Sequence, residues 1–288
     1  ASRPPLAWQP TVPFHQRPAI ARVQAMVVAA PIAGGSVVDE ALSRWLDLSA
    51  VQTPLGIGRD VLWPLTGMAA YLVVVKVLEL DLTARSGRPR GVSGAVVQAY
   101  NVFIIVVSAG ILIPTIIFRW LGATSMQKAY CPSGGGVVSD GLRLCMWAYH
   151  VSKYSEYIDT VFLLLKGKAV GTLHFWHHLV VTFTSWTWLR CDIEWVADGI
   201  IFNTFVHCFM YYYYYLAGIG KPPWWKKYVT SLQIFQFVTS FACTTVWAYY
   251  HLTVGCSFVN VTLVSVAFNG WLLIMFVLFY SKSYGKGK

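Results

Sequence analysis

The sequence is poor in charge for its length. Only 12% of its 288 residues are charged and 56% are hydrophobic, and the mean hydropathy is +0.54. An ordinary soluble domain is about 25% charged. So hydrophobic a chain is not disordered, and it has too little polar material to cover a soluble enzyme. We therefore expect a membrane protein that crosses the bilayer several times.

Acidic residues and paired cysteines are also scarce. Twelve acidic residues against 22 basic ones leave a net charge of +10. The basic residues form short clusters between apolar runs, which is typical of membrane-protein loops and not of nucleic-acid-binding surfaces. The six cysteines include no CxxC pair, which argues against a structural zinc site and a disulfide-rich miniprotein.

Long apolar runs predict an all-α, polytopic membrane protein with seven transmembrane helices, since a span needs roughly 20 apolar residues. The predicted spans are Pro64–Leu80, Gln98–Phe118, Leu144–Leu165, Leu173–Leu189, Val196–Leu216, Val229–Tyr250 and Phe258–Tyr280. Residues 61–288 then form the membrane domain, and the proline-rich residues 1–60 form a non-membrane arm. Eleven basic residues fall in one set of connections and four in the other. The positive-inside rule therefore places the C-terminus in the cytosol and the arm on the opposite side.

Polar residues inside the spans are costly, so they are candidates for function. Four groups occur, with these members: Lys153, Glu156, Asp159 and Thr160; His174, His177 and His178; Asn203, His207, Met210 and Tyr211; and Thr230, Gln233 and Gln236. Within each group the spacing predicts one helix face. The predicted orientation brings all four faces to the middle or cytosolic half of the bilayer. We infer one chamber, suited to a substrate with a polar head and an apolar tail.

Each group also has a purely structural interpretation. Lys153 and Glu156 can form an ion pair that only locks the helix packing. Gln236 can serve interhelical hydrogen bonding, and the tyrosines that follow Met210 can be an interfacial belt. Three histidines within five positions are harder to explain in this way, because imidazoles so arranged can bind a metal or act as acid, base or nucleophile.

Four sequence blocks carry a family resemblance. KYSEYIDT, HFWHH, NTFVHCFMY and TSLQIFQF look like KxxExxDT, HxxHH, NxxxHxxMY and TxxQxxQF of the ELO family of very-long-chain fatty acid elongases. The resemblance implies an endoplasmic reticulum enzyme in which six of seven helices ring an acyl tunnel, with residues 1–60 in the lumen. It condenses acyl-CoA with malonyl-CoA to a 3-oxoacyl-CoA two carbons longer, releasing CO₂ and CoA. The resemblance implies no cofactor or metal. The partners that it implies are membrane lipid, a second copy in a homodimer, and the ketoreductase, dehydratase and enoyl reductase of the elongation cycle.

The resemblance also suggests roles for residues. It favours His177 as a nucleophile that forms an acyl-imidazole, with His207 near the reacting carbonyl and His174 and His178 orienting it or acting as acid and base. Asn203 and Gln233 are expected to donate to the oxyanion, and Asp159 to fix a histidine tautomer. The residues expected to bind substrate are Lys153, Glu156, Tyr211 and Gln236, with Lys153 or the basic loops holding the CoA phosphates.

The cysteines allow one disulfide on the predicted lumenal side, where oxidation is permitted. Cys131 and Cys256 lie in connections there, and Cys191 competes as a partner. The resemblance favours Cys131–Cys256.

Two other functions also use residues of these types. A membrane di-iron desaturase or hydroxylase also carries HxxHH, but it needs more histidines in several boxes. This chain has only seven, and it lacks a separate HxxxH box. A transporter can use Lys153, Glu156 and Asp159 as a proton relay, but that leaves the three histidines unexplained. Acyl chain length is not predicted.

Overall fold

The computed structural model describes residues 61–121, 125–131, 139–256 and 258–285. Regular structure in these ranges is helical throughout and contains no strand, which confirms the all-α prediction. The proposed arm at residues 1–60 lies outside the described residues. So do the tail lysines Lys286 and Lys288.

The helices follow the predicted spans closely. In chain order they are α1 (Leu62–Ala84), α2 (Gly94–Ile116), which continues as a π-helical turn (Ile117–Leu121), α3 (Met126–Tyr130), α4 (Asp140–Ser155), α5 (Tyr157–Leu165), α6 (Thr172–Arg190), α7 (Val196–Gly218), α8 (Lys226–Val254) and α9 (Val259–Tyr284). The third predicted span is divided between α4 and α5. The division falls at Glu156, where the N–H of Asp159 bonds to the Glu156 carbonyl in a tighter, three-residue turn.

The outer faces of the bundle are apolar. Val73, Phe103, Val106, Ile274 and Leu278 are each more than half exposed, and such faces suit contact with lipid tails. Among the described residues, three helices are long and apolar enough to cross a membrane, namely Gly94–Trp120, Lys226–Val254 and Val259–Tyr284. The chain is therefore a multi-pass membrane protein, while the count of seven spans stays a prediction.

Two predicted cytosolic connections pack against each other. The N–H of Gly91 donates to the Leu165 carbonyl at 3.1 Å. Asp81, at the end of α1, accepts from Arg90 at 2.6 Å and from Arg85 at 3.1 Å. The hydrogen bond from Arg90, and then the one from Arg85, lower the pKa of Asp81 below its usual range. These two arginines are therefore already engaged by a carboxylate.

A disulfide and a buried ion pair stabilise the opposite end of the bundle. Cys131, after α3, is bonded to Cys256 between α8 and α9, and Cys191 lies outside this bond. Nearby, Nε and Nη2 of Arg119 donate to the two carboxylate oxygens of Asp198 at 3.0 and 2.8 Å. Both side chains are almost fully buried. Arg119, which directly follows the second predicted span, therefore connects the end of α2 to the start of α7.

Replacing Asp198 by asparagine is expected to destabilise the fold by about 3–5 kcal/mol, because it leaves the buried Arg119 charge without its carboxylate. Thermal unfolding in detergent measures the effect. Asp192→Asn is the matched control, since Asp192 pairs with Arg143 but keeps 33% of its side chain exposed. If the Asp198 variant is no less stable than the Asp192 variant, the buried Arg119–Asp198 pair does not stabilise the fold in this way.

Candidate active site

A buried ionic network joins α4 to α7. Nζ of Lys153 donates to Oε1 of Glu156 at 2.7 Å and to Oδ1 of Asn203 at 3.0 Å. It also lies 4.1 Å from the centre of the Tyr149 ring. Lys153 and Glu156 are each 2% exposed. The first and third sequence blocks are thus in direct contact, and the ammonium group is surrounded inside the bundle.

His207 extends this network. Its Nδ1 lies 3.4 Å from Oε1 of Glu156, the oxygen that also accepts from Lys153. The Tyr149 hydroxyl donates to Oδ1 of Asn203 at 3.0 Å. Glu156 and Asn203 are therefore each held by two side chains, which fixes the geometry around His207.

The three histidines of α6 divide between two sides of the helix. Nε2 of His174 is 2.8 Å from the Thr160 hydroxyl, which is 3.2 Å from the Tyr71 hydroxyl of α1. The His178 ring lies 4.4 Å from that of His174, so both face α1 and α5. His177 instead lines a cavity toward α8 and α9. The sequence predicts one shared face, but successive residues on a helix are about 100° apart, which turns His177 away from His178.

Thr160, and not Asp159, is the residue beside a histidine of α6. The Asp159 carboxylate instead accepts a hydrogen bond from the Tyr211 hydroxyl of α7. The expectation that Asp159 fixes a histidine tautomer is therefore replaced by a contact through Thr160.

A cavity lies between α4, α6, α7, α8 and α9. Its wall includes His177 toward one end, and Trp188 and Ser265 toward the other. Tyr149, whose ring is stacked on Trp188 at 6.4 Å, and Asn203, which accepts from the Tyr149 hydroxyl, also line it. His177 and Trp188 lie eleven residues apart on α6, which corresponds to about 16 Å along the helix. The wall of the cavity therefore extends about 16 Å along α6, with His177 at one limit and Trp188 at the other.

The two glutamines of α8 have different surroundings. Gln236 lines the cavity with His177. The amide nitrogen of Gln233 instead lies 3.4 Å from the Met210 sulfur. Of the two, Gln236 is thus the better placed to donate to a reacting oxygen, and Gln233, which the sequence favours for that role, connects α8 to α7.

Sequence reasoning missed His150. Its Nδ1 lies 2.9 Å from the Ser185 hydroxyl and its Nε2 lies 3.1 Å from the Tyr154 hydroxyl, and it is 1% exposed. Both ring nitrogens thus have a hydroxyl partner, which is typical of a structural histidine. The available signal was its position three residues before Lys153. No group of three or more His, Cys, Asp or Glu side chains in the described ranges is arranged to hold a metal ion.

The fold and the site define an all-helical multi-pass membrane protein with a buried histidine–lysine–carboxylate network, of which Asn203 and Tyr149 line a cavity together with His177. The model of the ELO: GNS1/SUR4 family matches residues 57–288, and the chain belongs to this family, as the four blocks predict.

Named relatives agree with that membership. Fatty acid elongase A of Dictyostelium discoideum is 28% identical over 241 residues, covering 79% of this chain and 84% of its own. Fatty acid elongase sre1 of the same organism is 36% identical over 148 residues, covering 49% and 54%. Very long chain fatty acid elongase 4 of Homo sapiens is 34% identical over 198 residues, covering 62% and 60%. The alignments to sre1 and elongase 4 thus span little more than half of those relatives.

Proposed function

We propose that the protein is a condensing enzyme of fatty acid elongation, a very-long-chain 3-oxoacyl-CoA synthase. Family membership and the names of the relatives support this activity. The observation that carries it is the position of His177 on the wall of a cavity that extends about 16 Å along α6 and is lined also by Asn203 of the buried network.

The chemistry requires a nucleophile, donors for the oxyanion and a place for the tail. His177 attacks the acyl thioester, the carbon–sulfur bond breaks, and CoA leaves as the thiol with the proton that the imidazole loses. Malonyl-CoA then loses CO₂, and its enolate carbon displaces the imidazole to form the 3-oxoacyl-CoA. The displaced imidazole takes up one proton from water, which restores neutral His177. Asn203 and Gln236 donate to the oxyanion, Glu156 orients His207, and the cavity receives the alkyl chain.

The CoA phosphates are assigned to the basic connections. Lys153 is buried and its donors meet Glu156, Asn203 and the Tyr149 ring, so Lys153 positions the network and does not reach a phosphate. Arg88, Lys166 and Lys168 lie in the connections after α1 and α5, outside the Asp81 cluster. They are the cations best suited to bind the phosphates.

The cellular setting is part of the proposal. The enzyme lies in the endoplasmic reticulum membrane with its N-terminus in the lumen and its C-terminus in the cytosol, which presents the active site to cytosolic CoA thioesters. It forms a homodimer and passes its product to the ketoreductase, dehydratase and enoyl reductase of the cycle. It needs no cofactor beyond its two substrates.

Labelled malonyl-CoA tests the activity. Purified protein in lipid vesicles, given a long-chain acyl-CoA and labelled malonyl-CoA, is expected to release one CO₂ for each 3-oxoacyl-CoA formed. A transporter instead moves label into the vesicles without product, and a desaturase forms product that depends on iron and oxygen but not on malonyl-CoA. Either result rejects the condensing enzyme.

A further inference from the structure

A band of polar side chains crosses the middle of the cavity, away from the histidines. Thr184 of α6, Ser240 of α8 and Asn269 of α9 all line the cavity wall. The amide nitrogen of Asn269 donates to the Phe237 carbonyl at 3.3 Å, which places Asn269 within one turn of Ser240. We call Thr184, Ser240 and Asn269 the polar band.

Two contacts fix the level of the band. α6 and α9 run antiparallel, with the His177 ring 6.1 Å from the Phe276 ring and Trp188 Nε1 donating to the Ser265 hydroxyl at 2.8 Å. Thr184 lies four residues before Trp188, and Asn269 lies four residues after Ser265, so the two are level.

The distance from His177 to the band corresponds to a definite part of an acyl chain. Thr184 follows His177 by seven residues, which is about 10 Å along the helix. An extended alkyl chain with carbon–carbon bonds of ~1.5 Å covers this distance in roughly eight bonds. A thioester carbon at His177 therefore places about the ninth carbon of the chain at the band.

The band has more hydrogen-bond acceptors than donors. Thr184 donates its only hydroxyl hydrogen to the Val180 carbonyl at 2.9 Å, and Ser240 donates its own to the Gln236 carbonyl at 3.1 Å. Each hydroxyl oxygen keeps lone pairs for a ligand. Among the described residues, Oδ1 of Asn269 has no hydrogen-bond partner, which adds a third acceptor.

We propose that the polar band recognises a hydroxyl group near the middle of the acyl chain, so that mid-chain hydroxyacyl-CoA thioesters are favoured substrates. This inference rests on the proposed condensing activity. A plain alkyl chain covers the Asn269 carbonyl oxygen and gives it no donor, which is costly in an apolar environment. A hydroxyl supplies the missing donor, and its oxygen can accept from the second amide hydrogen of Asn269. A keto group supplies no donor and fits less well.

Competition between two acyl-CoAs tests the proposal. Stearoyl-CoA and its analogue with a hydroxyl on roughly the ninth carbon are given to the full chain in lipid vesicles, with malonyl-CoA. The expected ratio of kcat/KM, hydroxylated over plain, is about three- to tenfold, the range for one added hydrogen bond. An analogue with the hydroxyl at the end of the chain gives no such preference. In Asn269→Leu, which keeps a similar volume, the ratio falls to about one.

Asn260→Leu is the matched control, because Asn260 is an exposed asparagine near the start of the same helix and lies outside the cavity wall. It leaves the ratio and the activity unchanged. If Asn269→Leu fails to fold, the milder change Ser240→Ala is tested in its place and is expected to lower the ratio. A wild-type ratio of one or less with normal elongation of stearoyl-CoA overturns the polar band and leaves the proposed function standing.

A binding measurement separates the two possible failures. If neither acyl-CoA is elongated, the proposed function fails. Hydroxyl recognition by the polar band is then tested by how much each free fatty acid raises the thermal stability of the protein. A mid-chain hydroxystearic acid is expected to stabilise the wild type more than stearic acid does, and Asn269→Leu removes the difference. Equal stabilisation by the two acids overturns the band.

Discussion

Alanine at His177 is expected to reduce kcat for condensation by at least about a thousandfold, the scale seen when a covalent nucleophile is removed. His177 is the one histidine of α6 on the cavity wall, whereas His174 and His178 face α1 and α5. His251→Gln is the control. His251 stacks on Trp247 and accepts from the N–H of Cys256 beside the disulfide, so its loss is not expected to change kcat.

Acylation without malonyl-CoA separates a nucleophile from a residue that only orients substrate. Wild-type protein mixed with acyl-CoA alone is expected to release one CoA and to gain the mass of one acyl group, measured by mass spectrometry of the intact chain. His177→Ala is expected to do neither. If the alanine variant still gains the acyl mass, or keeps kcat within tenfold of the wild type, His177 is not the nucleophile.

Much of this site is predictable from sequence because the polar groups repeat at helical spacing. The pairing of Lys153 with Glu156 needs only two positions three residues apart. Which of two neighbouring side chains faces the cavity is not predictable in this way, because it depends on how adjacent helices are rotated. Gln236 therefore lies on the cavity wall and Gln233 does not, although spacing alone places both on one helix face.

The burial of Arg119 is also not predictable from the sequence. A lone arginine after an apolar run is typical of a loop at the membrane surface, and its carboxylate partner lies 79 residues further along the chain. Only the packing of α2 against α7 brings Arg119 and Asp198 together. The same limit applies to Tyr71, which approaches His174 through Thr160 from a helix that carries none of the four blocks.

Replacing Glu156 by glutamine is expected to reduce both stability and activity. The variant leaves the Lys153 ammonium, 2% exposed, without a counter-charge, at a cost of about 3–5 kcal/mol. Activity falls as well, because His207 loses the carboxylate 3.4 Å from its Nδ1. Unfolding in detergent measures the first effect, and labelled product formation measures the second.

The double variant Lys153→Met with Glu156→Gln distinguishes the two effects. Removing both charges is expected to restore most of the stability, because replacing a whole buried pair is far less costly than breaking it. Activity should stay low, since neither Asn203 nor His207 then has its charged neighbour. Asp81→Asn, which breaks an exposed pair, serves as the control and should change stability little. If the double variant recovers activity together with stability, the Lys153–Glu156 pair only locks the helices, and the site does not need its charge.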